Sequence, residues 1–198
     1  MVIQKLIMNS TSLRSKNGRT IQGPLILKPN LFRDERGFFM ESWNKRDFDQ
    51  LTNNNINFVQ DNHSSSTKGV LRGMHYQLDP MSQGKLVRCV SGEIYDVIID
   101  IRKNSPTYKD WIGVYLDSIV HEQLWIPVGF AHGFLTTSKK ADVLYKATNF
   151  WSAECEQSIL WNDPSISVDW PQIDTDICIS EKDKKAPKFN EKAKIDLF

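Results

Sequence analysis

Short apolar runs of the kind found in strands dominate the chain. Strands are predicted at 25–27, 58–62, 70–77, 85–90, 93–101, 111–116, 123–126, 133–137 and 143–147. Short strands separated by turn signals at roughly ten-residue spacing are typical of an antiparallel sandwich or barrel. The pattern therefore predicts a mainly β protein, with short helices only near 45–51 and 180–186.

Other features of the pattern lie towards the two ends of the chain. Pro24 and Pro29 bound the run 25–27, which predicts a brief or edge strand there. The first 20 residues are mostly polar, so we expect a loosely packed extension or an exchanged strand. Ser180 is a suitable N-cap for the last helix. The C-terminal segment 180–198 is charged, and its part from Lys182 to Lys194 is expected to close over one end of the fold.

Composition places the chain among ordinary globular proteins. Its 198 residues fit a single domain, with 40% hydrophobic and 25% charged residues. The formal net charge of +1 gives no field that would favour nucleic acid or an acidic membrane surface. No apolar run approaches the length of a membrane span, and the start lacks a signal-peptide pattern. We therefore expect a cytoplasmic protein with neither nucleic acid nor membrane as a partner.

The three cysteines and four histidines restrict the available chemistry. Cys89, Cys155 and Cys178 are odd in number and widely spaced, which fits neither a disulfide framework nor a zinc site. Within the segment WIPVGFAHGF, the spacing P-x-G-x-x-H ending at His132 resembles the second motif of cupin barrels. Metal-binding cupins add an H-x-H pair, which this sequence lacks. The sequence thus predicts a cupin-like antiparallel β-sandwich or jelly-roll barrel with no metal.

The segment 70–77 contains the most informative polar residues. Arg72 and His75 lie among apolar residues, where burial costs several kcal/mol unless each group is paired. A regular strand would place them on opposite faces unless Gly73 marks a bulge. Taken alone, His75 is most simply a satisfied core histidine. Together with Lys85 and Tyr145 it suggests an acid–base enzyme acting on a small molecule.

Further polar groups have both functional and ordinary interpretations. Gln60 and Asn62 share one strand face and could contact a sugar or a base, or simply meet solvent. Arg36 lies in a charged segment that could bind a diphosphate or form a solvated turn. Asp183 could orient His75, although charged tails are usually solvated.

The chain resembles the dTDP-4-dehydrorhamnose 3,5-epimerase family, whose members have the cupin fold and serve dTDP-L-rhamnose synthesis. The resemblance extends over about 23–186. It rests on the ordered segments FRDERGFFMES, FVQDNHS, GVLRGMHYQ, QGKLVRCVSGEIYDVIIDIRKNSPT, LWIPVGFAHGF, LYKATNFWS and ILWNDP. It implies epimerisation at C3 and C5 of dTDP-4-dehydro-6-deoxy-D-glucose, without a cofactor.

The resemblance also implies roles for individual residues. His75 would be the catalytic base, Asp183 its carboxylate partner, Tyr145 the proton donor on the other face of the sugar, and Lys85 the group that stabilises the enolate. Substrate contacts would come from Arg36, Phe39, Glu41, Gln60, Asp61, Asn62, Arg72, His132, Glu156 and Lys182. Trp151 takes the place of a tyrosine that stacks on thymine, so stacking is kept and the hydroxyl is lost.

Family members are homodimers in which a strand of one subunit helps to build the other's site. A homodimer with strand exchange is therefore expected here. Alternatives remain open at this point: an epimerase of one carbon, or a ketoisomerase, on a related dTDP-4-keto-sugar, and a non-catalytic cupin that binds nucleotide-sugars. The absence of H-x-H disfavours a metal-dependent cupin.

Overall fold

Strands make up most of the computed structural model, which describes residues 8–191. The strands are β1 (Met8–Arg14), β2 (Thr20–Pro29), β3 (Phe32–Asp34), β4 (Gly37–Phe39), β5 (Gln60–Thr67), β6 (Val70–Gln77), β7 (Lys85–Ser91), β8 (Glu93–Asp100), β9 (Trp111–Asp117), β10 (Gln123–Ile126), β11 (Phe130–Thr136), β12 (Lys140–Ala147), β13 (Glu156–Ser158) and β14 (Cys178–Ile179). The helices are α1 (Lys45–Thr52), α2 (Glu181–Lys184) and a 3₁₀ turn at Phe189–Glu191. None of the helices in this part of the chain has the length and apolar character needed to cross a membrane.

Two six-stranded sheets contain most of the strands. The first sheet has the order β1-β2-β10-β7-β12-β5, and the second has β13-β6-β11-β8-β9 with β14 added in parallel beside β6. All the other pairings are antiparallel, and β3 and β4 form a separate hairpin. This confirms the predicted mainly β fold.

The main core lies between the two sheets because inward-facing apolar residues alternate with outward-facing ones. Val87 and Val143 of the first sheet belong to the same buried cluster as Ile98 and Phe134 of the second. A second cluster covers the opposite face of β8, where Val97 packs with residues of the C-terminal segments. Both faces of the second sheet are therefore covered by apolar packing.

Helix α1 covers the outer face of the first sheet. Phe48 is fully buried there and packs at right angles against Trp125, with ring centroids 5.1 Å apart. Asn44 caps the helix by accepting a hydrogen bond from the backbone N–H of Asp47. The observed helix exceeds its predicted range by a single residue, which is the usual uncertainty of a helix end.

The prediction of a brief or edge strand at 25–27 is wrong. These residues lie inside the ten-residue strand β2, which is flanked on both sides by β1 and β10. The register of β1 against β2 shifts between Ser12 and Leu13, so that the partner strand skips from Leu25 to Ile21. This bulge accommodates Pro24, which has no N–H to donate to the sheet.

The N-terminal segment, for which an extension or an exchanged strand was predicted, forms a strand in the single chain. Met8–Arg14 is a strand paired with β2 of the same chain, and Met8 is fully buried. Leu13 packs against the main core, which explains why this largely polar strand is held in place. Residues 1–7, and 192–198 of the charged C-terminal segment, lie outside the described residues.

Strands β6 and β11 approach very closely at two glycines. Gly73 has a φ of +126°, and a Cβ on it would lie 2.5 Å from the Cα of Gly133. The register shifts here, with His132 opposite His75 and Phe134 opposite Arg72. Between these two pairs, β6 advances by three residues and β11 by two. This is the bulge that the sequence raised as one of two possibilities, and it brings Arg72 and His75 to the same cavity.

Gly73→Ala should destabilise the protein by about 3 kcal/mol or more, because the new methyl group meets backbone and the φ angle suits only glycine. Gly18→Ala is the matched control, since Gly18 also has positive φ but nothing within 4 Å of its Cβ position. That control should cost about 1 kcal/mol. Urea unfolding of both variants measures the difference, and equal losses would show that the close approach has no energetic weight.

Candidate active site

A cavity of about 450 Å³ opens where polar residues replace apolar ones on the inward faces of the two sheets. Its walls come from β5, β6, β7, β11, β12, β14 and α2. The lining residues are Ser64, Val70, Leu71, Arg72, His75, Lys85, His132, Phe134, Tyr145, Cys178, Ile179, Ser180, Lys182 and Asp183. The volume is that of a site for a small organic ligand.

His75 and Asp183 form a hydrogen-bonded pair at this cavity. The Nε2 atom of His75 lies 2.6 Å from Oδ1 of Asp183, although the residues are 108 positions apart in the chain. Burial opposes ionisation of Asp183, but hydrogen bonding and the charge of His75 keep the pKa of this carboxyl below its usual value. The hydrogen bond fixes the orientation of the imidazole.

The local structure of α2 fixes Asp183. Ser180 caps the helix, its Oγ accepting a hydrogen bond from the backbone N–H of Asp183 at 3.1 Å. Strand β14 positions the start of the helix by pairing with β6, where Ile179 lies opposite Leu71. The helix spans Glu181–Lys184 and is shorter than the predicted 180–186. Ser180 is its cap, and at the other end Pro187 disfavours helical backbone in the residue before it.

Lys85 and Tyr145 lie on the wall formed by the first sheet. The Lys85 ammonium is 6.0 Å from the centre of the Tyr145 ring and has no hydrogen bond or ion pair within residues 8–191. Burial lowers the pKa of Lys85 to about 8. Burial also raises the pKa of Tyr145 above its ordinary value of 10.0, so its hydroxyl keeps its proton at neutral pH. A cation and a proton donor therefore face the His75 wall.

A second histidine–aspartate pair lies beside the first. His132 is the cross-strand partner of His75, and its Nε2 lies 2.9 Å from Oδ2 of Asp96. Asp96 is completely buried and His132 nearly so. The sequence singled out His132 but did not pair it with Asp96, because their contact is diagonal across β8 and β11.

Two further groups of predicted residues are joined by their own contacts, and of these only Lys182 lines the cavity. Lys182 forms an ion pair with Glu156, which links α2 to β13. Gln60 donates to Asn62 at 2.9 Å and accepts from the backbone N–H of Trp151 at 2.9 Å. The Trp151 side chain is 57% exposed, which leaves its ring available to a flat ligand.

The structure does not bring every predicted residue to this cavity. Arg36 and Phe39 lie on the exposed β3–β4 hairpin and Glu41 follows it, and the Arg36 guanidinium contacts Asp34 instead. Asp61 faces the opposite side of the first sheet, where it forms an ion pair with Lys146 at 3.0 Å. None of these four predicted residues lines the cavity within the single chain.

Some lining residues were not predicted. Ser64 follows Gln60 and Asn62 at the two-residue period of a strand, a signal that could have identified it. Cys178 and Ile179 belong to a two-residue strand whose position depends on pairing with the distant β6. Among residues 8–191, no three His, Cys, Asp or Glu side chains are grouped so as to hold a metal ion.

The structure is a cupin-like antiparallel sandwich in which a His–Asp pair, a lysine and a tyrosine surround one cavity, a set of groups that could carry out acid–base chemistry. Comparison with known proteins agrees with this interpretation. The family model described as dTDP-4-dehydrorhamnose 3,5-epimerase matches residues 19–191. The chain belongs to this family.

Curated relatives and solved structures carry the same description. A dTDP-4-dehydrorhamnose 3,5-epimerase of Shigella flexneri is 54% identical over 165 residues, which is 83% of this chain and 90% of the relative. The crystal structure of the Elizabethkingia anophelis enzyme of that name is 41% identical, with a TM-score of 0.86 over 94% of this chain and 98% of that chain. A Legionella pneumophila dTDP-6-deoxy-D-glucose-3,5-epimerase in complex with dTDP-4-keto-L-rhamnose is 43% identical, with a TM-score of 0.85 over 92% of this chain and 93% of that one.

Ser180→Ala should weaken the site more than the fold. Loss of the N-cap costs about 1 kcal/mol, which leaves the sandwich folded but lets α2 shift and misplaces Asp183. We therefore expect kcat to fall several-fold while the far-ultraviolet circular dichroism spectrum is unchanged. Ser180→Thr retains a capping hydroxyl and should keep both properties. An alanine variant with wild-type kcat would show that the cap does not position Asp183.

Proposed function

We propose that this protein converts dTDP-4-dehydro-6-deoxy-D-glucose into dTDP-4-dehydro-L-rhamnose by inverting C3 and C5. The observation that carries the proposal is the placement of the His75–Asp183 pair on one wall of the cavity and of Lys85 and Tyr145 on the other. A base, an oxyanion-stabilising cation and a proton donor are the groups that this reaction requires. Family membership supports the same substrate.

The chemistry follows from the C4 ketone, which makes the hydrogens on C3 and C5 acidic. His75 removes one of them, and the protonated imidazole is stabilised by Asp183. The resulting enolate oxygen at C4 is stabilised by the Lys85 ammonium, which is more effective in a buried site than in water. Tyr145 then donates its proton to the opposite face of the same carbon.

Repetition at the second carbon completes the change from the D to the L configuration. Removal and return of a proton leave the oxidation state of the carbon unchanged, so the overall reaction consumes no oxidant or reductant. His75 then releases its proton to solvent, and the Tyr145 phenolate takes up a proton from solvent. The reaction therefore introduces one solvent hydrogen at each inverted carbon.

Binding of the nucleotide would use groups in and around the cavity. Arg72 and Lys182 supply positive charge at the cavity for the diphosphate, and the planar guanidinium suits phosphate oxygens. Arg72 is held by its hydrogen bond to Ser66 at 3.1 Å. The exposed ring of Trp151 offers a surface on which thymine can stack. His132, Gln60, Asn62 and Glu156 would complete the polar contacts.

The remaining substrate contacts would come from a second subunit. Arg36 is highly exposed, and its hairpin also presents Phe32 and Phe39 to solvent at 58% and 66% exposure. Large apolar side chains exposed together are typical of an interaction surface. We infer a homodimer with exchange of this region, in which Arg36, Phe39 and Glu41 of each chain reach the other chain's cavity. Asp61 lies on the outer face of the first sheet, where it pairs with Lys146.

Deuterium incorporation tests the function directly. The purified protein is incubated with dTDP-4-keto-6-deoxy-D-glucose in D₂O, and the product is reduced and analysed by mass spectrometry. Two deuterons per sugar and a dTDP-L-rhamnose product are expected. Incorporation of one deuteron would indicate an epimerase of a single carbon. Binding of dTDP without exchange would instead favour a non-catalytic nucleotide-sugar-binding protein.

Variants in the same assay test the two proton-transfer roles. His75→Ala should reduce turnover at least ~100-fold, because general acid–base catalysis contributes this much per group. Tyr145→Phe should still exchange substrate hydrogens with solvent but invert them poorly. A wild-type product yield from Tyr145→Phe would show that Tyr145 is not the proton donor. A loss of turnover smaller than ~100-fold in His75→Ala would show that His75 is not the base.

Mixing of inactive subunits tests the shared site. His75→Ala and Arg36→Ala chains are each expected to form nearly inactive homodimers. After unfolding and refolding together in equal amounts, about a quarter of the sites should contain both wild-type residues, since the heterodimer has one intact site. Recovery of about that activity supports sharing between subunits. No recovery, with heterodimers present in the mixture, would place Arg36 and His75 in the same chain's site.

A further inference from the structure

We propose that Ser64 is a further substrate-binding residue, whose hydroxyl holds the C2 hydroxyl of the sugar. The inference rests on the proposed function, because it takes the hexose of a dTDP-4-keto-sugar as the ligand of the cavity. Ser64 lines this cavity from β5, which is an edge strand of the first sheet. The contact would make the protein selective for the substituent that a nucleotide-sugar carries at C2.

The hydroxyl group of Ser64 is the first argument. Its Oγ is buried and has no hydrogen-bond partner among the residues that the structure describes. A buried hydroxyl without a partner is unfavourable, and such groups in native proteins usually have a specific reason. Because the Ser64 side chain lines the cavity, rotation about χ1 to another staggered position can turn the hydroxyl towards a ligand. That rotation breaks no hydrogen bond.

The neighbouring side chains on the same face of β5 are the second argument. Gln60, Asn62, Ser64 and Ser66 follow one another at the two-residue period of a strand and alternate with exposed residues. The hydroxyl of Ser66 accepts a hydrogen bond from Arg72, and Gln60 donates to Asn62. Within the described residues, the Nδ2 atom of Asn62 is the other buried polar atom on this face that lacks a partner. The two uncommitted groups are therefore adjacent.

The register of β5 against β12 places Ser64 next to Tyr145. Ser64 lies opposite Val143, which makes it the diagonal neighbour of Tyr145 on the inward face. Ser66, the next inward residue along β5, accepts the hydrogen bond from Arg72 at 3.1 Å. In the proposed function Tyr145 acts on the sugar ring and Arg72 binds the diphosphate. Ser64 therefore lies between the residue for the ring and the residue for the diphosphate.

The chemistry of the substrate points to its C2 hydroxyl. C2 lies between C1, which carries the diphosphate, and C3, which is inverted. The C4 oxygen is assigned to Lys85, C6 is a methyl group, and the substituents of C3 and C5 change position during inversion. The C2 hydroxyl keeps its configuration, so one serine can hold it throughout both inversions. A serine hydroxyl can both donate to and accept from such a group.

Binding of two inert nucleotide-sugars tests the contact. Affinities for dTDP-D-glucose and dTDP-2-deoxy-D-glucose are measured by isothermal titration calorimetry. The wild-type protein should bind the glucose compound about two- to tenfold more tightly, as expected for one hydrogen bond. Ser64→Ala should lose this preference, because its affinity for the glucose compound falls and its affinity for the deoxy compound does not change.

Ser65→Ala is the matched control. Ser65 is the adjacent residue of β5, is exposed on the opposite face, and has its side chain hydrogen-bonded to Asp142. This variant should keep the wild-type preference for the glucose compound.

Three results would overturn the proposal. Equal binding of the two sugars by the wild-type protein is one of them, and it requires no variant, so the test does not depend on the folding of Ser64→Ala. An equal loss of affinity for both sugars in Ser64→Ala would indicate a structural effect. Weaker binding of dTDP itself by that variant would place the hydroxyl at the diphosphate.

The same measurements separate this proposal from the proposed function. Both compounds lack the C4 ketone, so their binding is measured whether or not the protein inverts C3 and C5. A preference that depends on Ser64 supports the contact even if the deuterium assay shows one exchanged carbon or none. Incorporation of two deuterons without any preference between the sugars would overturn the contact and leave the proposed function in place. Binding of neither sugar would overturn both.

Discussion

The close contact between β6 and β11 is the constraint on which the active site depends. The two backbones meet at Gly73 and Gly133, where a single methyl group on either strand would collide with the other. This contact fixes the register that places His75 opposite His132. It also permits the bulge through which Arg72 reaches the same cavity. Without it, the strand would present Arg72 and His75 to different faces, and the cation and the base would not meet one ligand.

Around this contact, the sandwich divides the chemical tasks between its two sheets. The second sheet supplies the histidines, each bonded to a carboxylate, and the first sheet supplies Lys85 and Tyr145. The sheets are rigidly packed below the cavity by the apolar core, so opposed groups stay at a fixed separation. With the proposed base on one wall and the proposed proton donor on the other, a proton can leave one face of a carbon and arrive at the other, as inversion requires.

Sequence reasoning succeeded where local pattern decides structure. Strands β6 and β10 were predicted with their observed limits, since apolar residues and neighbouring turn signals mark both ends. It failed where long-range pairing decides: β14 has two residues and exists only because it lies beside β6. The His75–Asp183 pair followed from resemblance, not from spacing, and the contact between His132 and Asp96 was missed because it depends on the register of β8 against β11. The cavity of a single chain does not include three of the predicted substrate contacts, Arg36, Phe39 and Glu41.

The position of Asp183 has a consequence for how the protein is made. It is the last of the proposed catalytic residues in chain order, and the strand that positions it pairs in parallel with β6, about a hundred residues earlier. Parallel pairing between distant segments forms late, because the entropy of closing the intervening loop is lost before any contact is gained. On the ribosome, the two sheets can therefore pack while the cavity still lacks one wall. The nascent chain becomes a folded sandwich first and an enzyme only when β14 and α2 have emerged.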